Sequence, residues 1–241
     1  PGEIASTAGT SGVVYGVSDS LSGDTASSLN SFAHVNHATD DPRIGVLLCI
    51  NGTGILNAWL KRNLRAGING YEAMNRKAME APPGSSGLLI LPFGNGAERM
   101  LGNRNPGCMV SGLDFNRHND ASLIRAAHEG VAFAFAHGTG ILSATGISPR
   151  IIRAGNSNMF LSPLFRNTLA SLTGASIELY NTDGSCGAAR GAGIGAGIYK
   201  TESEAFSGLK LIKTIEPDPG LRDDVSESFR RWELLLDRFI E

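Results

Sequence analysis

Apolar residues along the chain recur with two periods, and the stretch that organises the rest is Arg150 to Gly174, RIIRAGNSNMFLSPLFRNTLASLTG. Ile151 and Ile152 end an apolar run, and small or polar residues from Ala154 to Asn158 predict a turn. Phe160, Leu161, Leu164, Phe165, Leu169 and Leu172 then recur at spacings of one, three and four, which predicts a helix with one buried face. Gly174 supplies a left-handed stop, and Ala175-Ser-Ile-Glu-Leu starts the next strand. A helix opening on such a turn offers unpaired amides and partial positive charge to an anion or a base edge. The same layout also serves as a plain strand-to-helix turn.

The other segments repeat the theme. Ile4 to Val17 predicts a hairpin whose tip, Gly9-Thr10-Ser11-Gly12, is either an ordinary turn or an anion nest without the lysine of a Walker loop. His34 and His37 lie three apart in extended surroundings with no matching carboxylate, and read as structural histidines. Ile44 to Ile50 is strand-like. Asn51-Gly-Thr-Gly then leads into a helix from Ile55, with Gly54 where a flat base or ribose could approach the backbone. Tyr71 to Ala81 predicts a helix closed by Pro82-Pro83-Gly84. After the apolar run Leu88 to Phe93, Glu98 and Arg99 either serve a site or brace their loop as an ion pair.

Asp120 is expected to cap a long buried helix built on Leu123, Ile124, Ala127, Val131, Phe133 and Ala134, fraying near Gly138 and Gly140. The pentapeptide GTGIL occurs at Gly52 and Gly138 with unmatched flanks, so it is no repeat. Ser185 to Tyr199 suggests a dinucleotide fingerprint through Gly191, Gly193 and Gly195. Ala196 stands where its third glycine would fall, and no acidic ribose ligand follows. A small-residue helix packed closely on the sheet is the expectation there. Asp223 to Glu241 is amphipathic and predicts a docked terminal helix.

Composition narrows the partners. Lys and Arg number 21 against 23 Asp and Glu, without a basic block, which argues against nucleic acid and anionic membrane. Apolar runs are broken before they reach bilayer-spanning length and no charged-then-apolar leader opens the chain, so a soluble protein is expected. Cys49, Cys108 and Cys186 are odd in number and lack metal-type spacing, which suits a cytoplasmic setting. With 31 glycines, the 241 residues are expected to make many tight turns, in one large α/β domain or two small ones. Starting on Pro and not Met, the chain reads as processed or as part of a longer polypeptide.

Five pieces in order, GTSG in the hairpin, NGTGILNAW, GLLILPFGNGAER, ASLIRAAHEGVAF and AGNSNMFLSPLFRNTLASLTG, resemble the C-terminal half of the FGGY family of carbohydrate kinases, most of all its xylulose kinases. The resemblance implies an α/β fold over residues 1–241: one nucleotide-binding lobe of the actin, hexokinase and heat-shock ATPase type, a ribonuclease-H-like mixed sheet flanked by helices. It implies ATP and Mg, with Gly9, Thr10, Ser11 and Gly12 at the phosphates and Gly54, Gly155, Asn156, Ser157 and Asn158 at the base and ribose. Where many relatives carry three glycines in a row, this chain has Ala154-Gly155-Asn156-Ser157-Asn158.

The family's catalytic base and first metal-binding Asp belong to an N-terminal lobe that would precede Ile4. Asp19 and Asp24 follow the hairpin and do not replace them. No catalytic or metal-binding residue is therefore expected in this chain. The implied activity is ATP-dependent phosphorylation of a ketopentose, D-xylulose to D-xylulose 5-phosphate, with this chain inactive alone. Its partners would be the sugar, ATP and the N-terminal lobe, with a homodimer left open. The alternatives are a nucleotide-binding or regulatory module without catalysis, and a kinase for another sugar or polyol.

Overall fold

In the computed structural model, which describes residues 2–20, 28–64 and 69–240, strict alternation starts the fold. Glu3, Ala5 and Thr7 face out while Ile4, Ser6 and Ala8 are buried, the period of two that makes strand β1 (Glu3–Ala8). The chain reverses over Gly9, Thr10 and Ser11 into the antiparallel β2 (Gly12–Ser18), with Ala8 opposite Gly12. β3 (Asn30–Ala33) and β4 (Ile44–Ile50) extend the sheet beyond β2. On the other side β7 (Ile151–Gly155) runs parallel to β1 and β8 (Ser176–Tyr180) parallel to β7, and β9 (Leu211–Ile215) closes antiparallel. Among the described residues this is one mixed sheet of seven strands, ordered β3-β4-β2-β1-β7-β8-β9. The expected mixed sheet flanked by helices is present.

The helices follow chain order: α1 (Gly54–Asn63), α2 (Gly70–Ala78), α3 (Asp120–Ser143), α4 (Pro163–Thr173), α5 (Gly184–Gly195), α6 (Glu202–Ala205) and α7 (Pro219–Ile240). A small ribbon of β5 (Leu89–Leu91) and β6 (Met109–Ser111) lies apart from the main sheet. α3 is apolar nearly all round, as a helix buried in a core must be. Gly130 and Gly138 give it close contact with its neighbours: a Cβ at Gly130 would strike the Ile90 carbonyl, and one at Gly138 the Leu48 side chain. The docked terminal helix is found as α7. Trp232, fully buried, donates from its indole to the Ile90 carbonyl at 2.8 Å and packs against Phe93 and Phe133.

Several boundaries differ from the sequence expectation. Asn119, not Asp120, caps α3: its Oδ1 accepts from the Ser122 amide, and Ser122 returns a side-chain bond to the Asn119 amide. The helix runs on through Gly138 and Gly140: Gly138 is buried against Leu48, while Gly140 is exposed in the turn that follows. The stripe from Phe160 is two elements, a 3₁₀ turn (Asn158–Leu161) and then α4, divided where Ser162 caps and Pro163 takes the first helical position. α5 is not packed on the sheet. Gly193 is its buried residue, and open space lies beside Gly184, Gly187, Gly191 and Gly195. Small side chains there leave the helix little apolar surface with which to dock. His34 and His37 organise a loop, the Nδ1 of His37 accepting from the Arg43 amide at 3.1 Å.

Candidate functional site

Two glycines lock the hairpin tip to the next helix. The Gly9 carbonyl accepts the Gly54 amide at 2.9 Å and the Thr10 carbonyl accepts the Ile55 amide at 3.1 Å, so the first two amides of α1 are paired with protein. The turn before α1 is braced from outside. Glu98, fully buried, accepts the Asn51 and Gly52 amides, each at 2.8 Å. Burial pushes its carboxyl above the ordinary range, while the two amides pull the other way. Glu98 thus braces its loop, but through backbone amides and not as an ion pair with Arg99.

Two clefts open on either side of the tip and share Ala8, Gly9 and Asn158. The first, about 440 Å³, lies between the tip and α1 with α2, and is lined also by Thr10, Gly54, Asn57 and Ser162. The second, about 530 Å³, lies over the ends of β7 and β8, lined by Ser11, Gly155, Ser157, Tyr180 and Asp183. Of the residues singled out in the sequence, the fold brings Gly9, Thr10, Ser11, Gly54, Gly155, Ser157 and Asn158 to these clefts. Asn158 adopts a left-handed conformation, φ 54°, at the point where the clefts meet, and such strain in a non-glycine residue is frequent at ligand sites.

Gly12 and Asn156 line neither cleft. Gly12 is buried, and a Cβ there would strike Phe135 and Thr53. Asn156 is exposed, its amide given to the Tyr180 carbonyl at 2.9 Å. The two glycines expected to leave room for a ligand leave it for protein: a Cβ on Gly54 would run into the Gly9 carbonyl, and one on Gly155 into the Thr182 carbonyl. Asp19 sits at the far end of β2, in a separate cleft with Arg43 and Arg150, and Asp24 lies outside the described residues. Among the described residues no three of His, Cys, Asp and Glu gather where a metal ion could sit.

Beneath the first cleft lies a polar network the sequence pattern did not single out. His128 on α3, fully buried, meets Asn57 Oδ1 through Nε2 at 3.0 Å and Ser162 Oγ through Nδ1 at 3.2 Å. Burial, reinforced by the Arg125 charge, pushes its pKa down to about 4. The available signal was a histidine set with Arg125 and Glu129 in a helix that is otherwise largely apolar, RAAHEGVAFAFA. Next to it, Arg125 and Glu129 form a buried ion pair at 2.7 Å, completed by the Ala81 carbonyl, the Gly84 amide and the Ser85 hydroxyl.

Residues 4–197 match the model of the FGGY family of carbohydrate kinases, C-terminal domain. The chain is 28% identical over 216 residues to a xylulose kinase of Escherichia coli (strain K12), covering 87% of this chain and 42% of that protein. A gluconokinase of Bacillus subtilis (strain 168) is 30% identical over 141 residues, 55% of this chain and 26% of that one. Among solved structures, a xylulose kinase from Rhodospirillum rubrum superposes with a TM-score of 0.82 at 24% identity, over 100% of this chain and 48% of its own. The chain thus spans less than half the length of each of these relatives.

Proposed function

The chain belongs to the FGGY family of carbohydrate kinases, as its C-terminal domain, and from that premise we propose that it is the ATP-binding half of a sugar kinase acting on a ketopentose, D-xylulose in the first instance. The observation that carries this is the convergence of Gly9, Thr10, Gly54 and Asn158 on one cleft, of a size suited to a nucleoside, with the hairpin tip at its rim. ATP lies along the tip, its phosphates toward Gly9, Thr10 and Ser11 and its nucleoside between α1 and the Asn158 turn.

The chemistry asks this lobe mainly for positioning. A sugar oxygen attacks the terminal phosphorus, the bond to the β-phosphate oxygen breaks, and the hydroxyl proton passes to a carboxylate base that this reading places in an N-terminal lobe. Backbone amides and the Thr10 hydroxyl at the tip meet charge that shifts onto the phosphates during transfer. Magnesium, arriving with ATP, neutralises phosphate charge; its carboxylate ligands belong by this reading to the same N-terminal lobe. The 241-residue chain alone is then expected to bind nucleotide and not to phosphorylate sugar.

A related reading, a kinase for a sugar acid, is favoured by the likeness to the gluconokinase. A panel of D-xylulose, other pentuloses, gluconate and glycerol, tested with a protein carrying both lobes, separates the two. D-xylulose is expected to give the highest kcat/KM. Phosphorylation by the highly purified 241-residue chain, or absence of ADP-induced chemical-shift changes near Asn158 at millimolar ADP, overturns the division of labour proposed here.

A further inference from the structure

The network of Asn57, His128 and Ser162 fixes more than the packing of three helices. His128 is neutral, because burial and Arg125 oppose its charge, and a neutral imidazole carries one N–H. Facing Nε2 is the Asn57 amide oxygen, which only accepts, so the proton sits on Nε2. Nδ1 must then accept, and it does so from the Ser162 hydroxyl. The same Ser162 oxygen accepts the Phe165 amide at 3.4 Å as the cap of α4. The observed orientation of the Asn57 amide thus sets the direction of each bond in the chain.

The consequence falls on Asn57. With its oxygen on Nε2, the Asn57 amide turns Nδ2 away from His128, and among the described residues no acceptor meets Nδ2. Asn57 lines the first cleft together with Gly9, Thr10, Gly54 and Asn158. A donor with a fixed direction, backed by buried groups, is the arrangement that rejects a ligand lacking the matching acceptor.

Resting on the nucleotide reading above, we propose that Asn57 is a specificity residue that donates from Nδ2 to a hydrogen-bond acceptor of the bound nucleoside, with His128 and Ser162 as positioning residues that set its amide. A ring nitrogen of the base and a ribose oxygen share the required chemistry. Asn57→Asp removes the donor and keeps an acceptor for the His128 N–H; because it also adds a charge, the role is read from the ratio of analogue to ADP affinity within each protein, where the phosphate charge is the same for all ligands.

The test titrates ADP, 3-deaza-ADP, 7-deaza-ADP and 2′-deoxy-ADP into the 241-residue chain and its Asn57→Asp variant by calorimetry, with thermal melts to confirm folding. Long-range ¹⁵N spectra of His128 report its tautomer. At least one analogue is expected to bind the parent chain about tenfold more weakly than ADP and the variant no more weakly than ADP does, naming the acceptor. ADP itself should bind the variant about tenfold more weakly, and His128 should carry its proton on Nε2. Should ADP fail to bind the parent chain at all, the nucleotide reading falls and this inference with it. Should ADP bind both proteins equally, or all analogues lose equally in both, or His128 carry its proton on Nδ1, this inference alone is overturned. If Asn57→Asp does not fold, Asn57→Ser, which still donates but with a shorter reach, replaces it, with a partial loss expected and no loss decisive against.

Discussion

The Gly9 carbonyl accepts the Gly54 amide at 2.9 Å, and a Cβ on Gly54 would run into that same oxygen. The hairpin tip and the start of α1 are therefore one rigid unit. Gly54→Ala must push the tip away or break the bond, and overpacking of this kind costs about 1–3 kcal/mol. Gly191→Ala on α5 meets nothing within 4 Å and lies in a helix interior, where alanine is favoured by about 0.5–1 kcal/mol. Urea unfolding of the two variants should move the midpoint in opposite directions. Equal shifts would contradict the account of the tip.

Glu98 is the second support of this region, because its carboxylate receives two amides that have no other partner among the described residues. The Gly52 amide is buried, and leaving such groups unmet costs about 2–4 kcal/mol in Glu98→Ala. Glu98→Gln keeps one accepting oxygen and should lose about half as much. Denaturant midpoints for both variants check the ratio; a loss within about 0.5 kcal/mol for alanine, the range of ordinary surface substitutions, would remove Glu98 from its bracing role.

The architecture was legible where period and punctuation agreed. The hairpin of Ile4 to Val17, the helix stop at Gly174 and the amphipathic tail each became the predicted element, while the stripe leading to Gly174 divided into a turn and a helix. GTGIL shows where local sequence ran out: at Gly52 it is a turn entering α1, and at Gly138 it is buried mid-helix in α3. The flanking apolar stripe decides the second case, and the Glu98 brace, 46 residues away, helps decide the first. α5 stands open to solvent because small residues lead to close packing only if a neighbour arrives, and no pattern within the segment reports whether one does. The site followed the same division. Turns at Gly9 and Asn158 could be read from composition, whereas Asn57, His128 and Ser162 meet only through tertiary packing.

Gly155 and Thr10 separate fold from ligand. The Gly155 Cβ position belongs to the Thr182 carbonyl, so Gly155→Val should displace the β8–α5 turn and lower the melting temperature before any ligand is added. Thr10 has an exposed side chain at the tip, and Thr10→Ala should leave stability within about 0.5 kcal/mol. In a protein carrying both lobes, Thr10→Ala is expected to lower kcat at nearly unchanged KM for ATP, the signature of an interaction made in the transition state. Melting curves and ATP kinetics on both variants decide. A Gly155→Val protein as stable as its parent would return that glycine to the ligand.

His128 gives the chain a stability that depends on pH, and its sign follows from the direction of its shift. The unfolded imidazole titrates at 6.5 and the folded one at about 4. Between those values the unfolded chain binds the extra proton, so the contribution is complete above 6.5 and drains away as pH falls toward 4. A difference of that size corresponds to about 3 kcal/mol. Glu98, whose carboxyl is pushed up by burial, acts in the opposite sense over part of the same window, because its folded form takes the proton more readily. The quantity to measure is accordingly a difference. Unfolding free energies of the parent and of His128→Gln, which keeps a donor for Asn57 but does not titrate, should converge as pH falls through the window, the parent losing its advantage by roughly the 3 kcal/mol above. Parallel pH profiles would mean that the folded imidazole takes up its proton over the same pH range as the unfolded one, so that burial does not hold it neutral, and the fixed orientation of Asn57 would lose its basis.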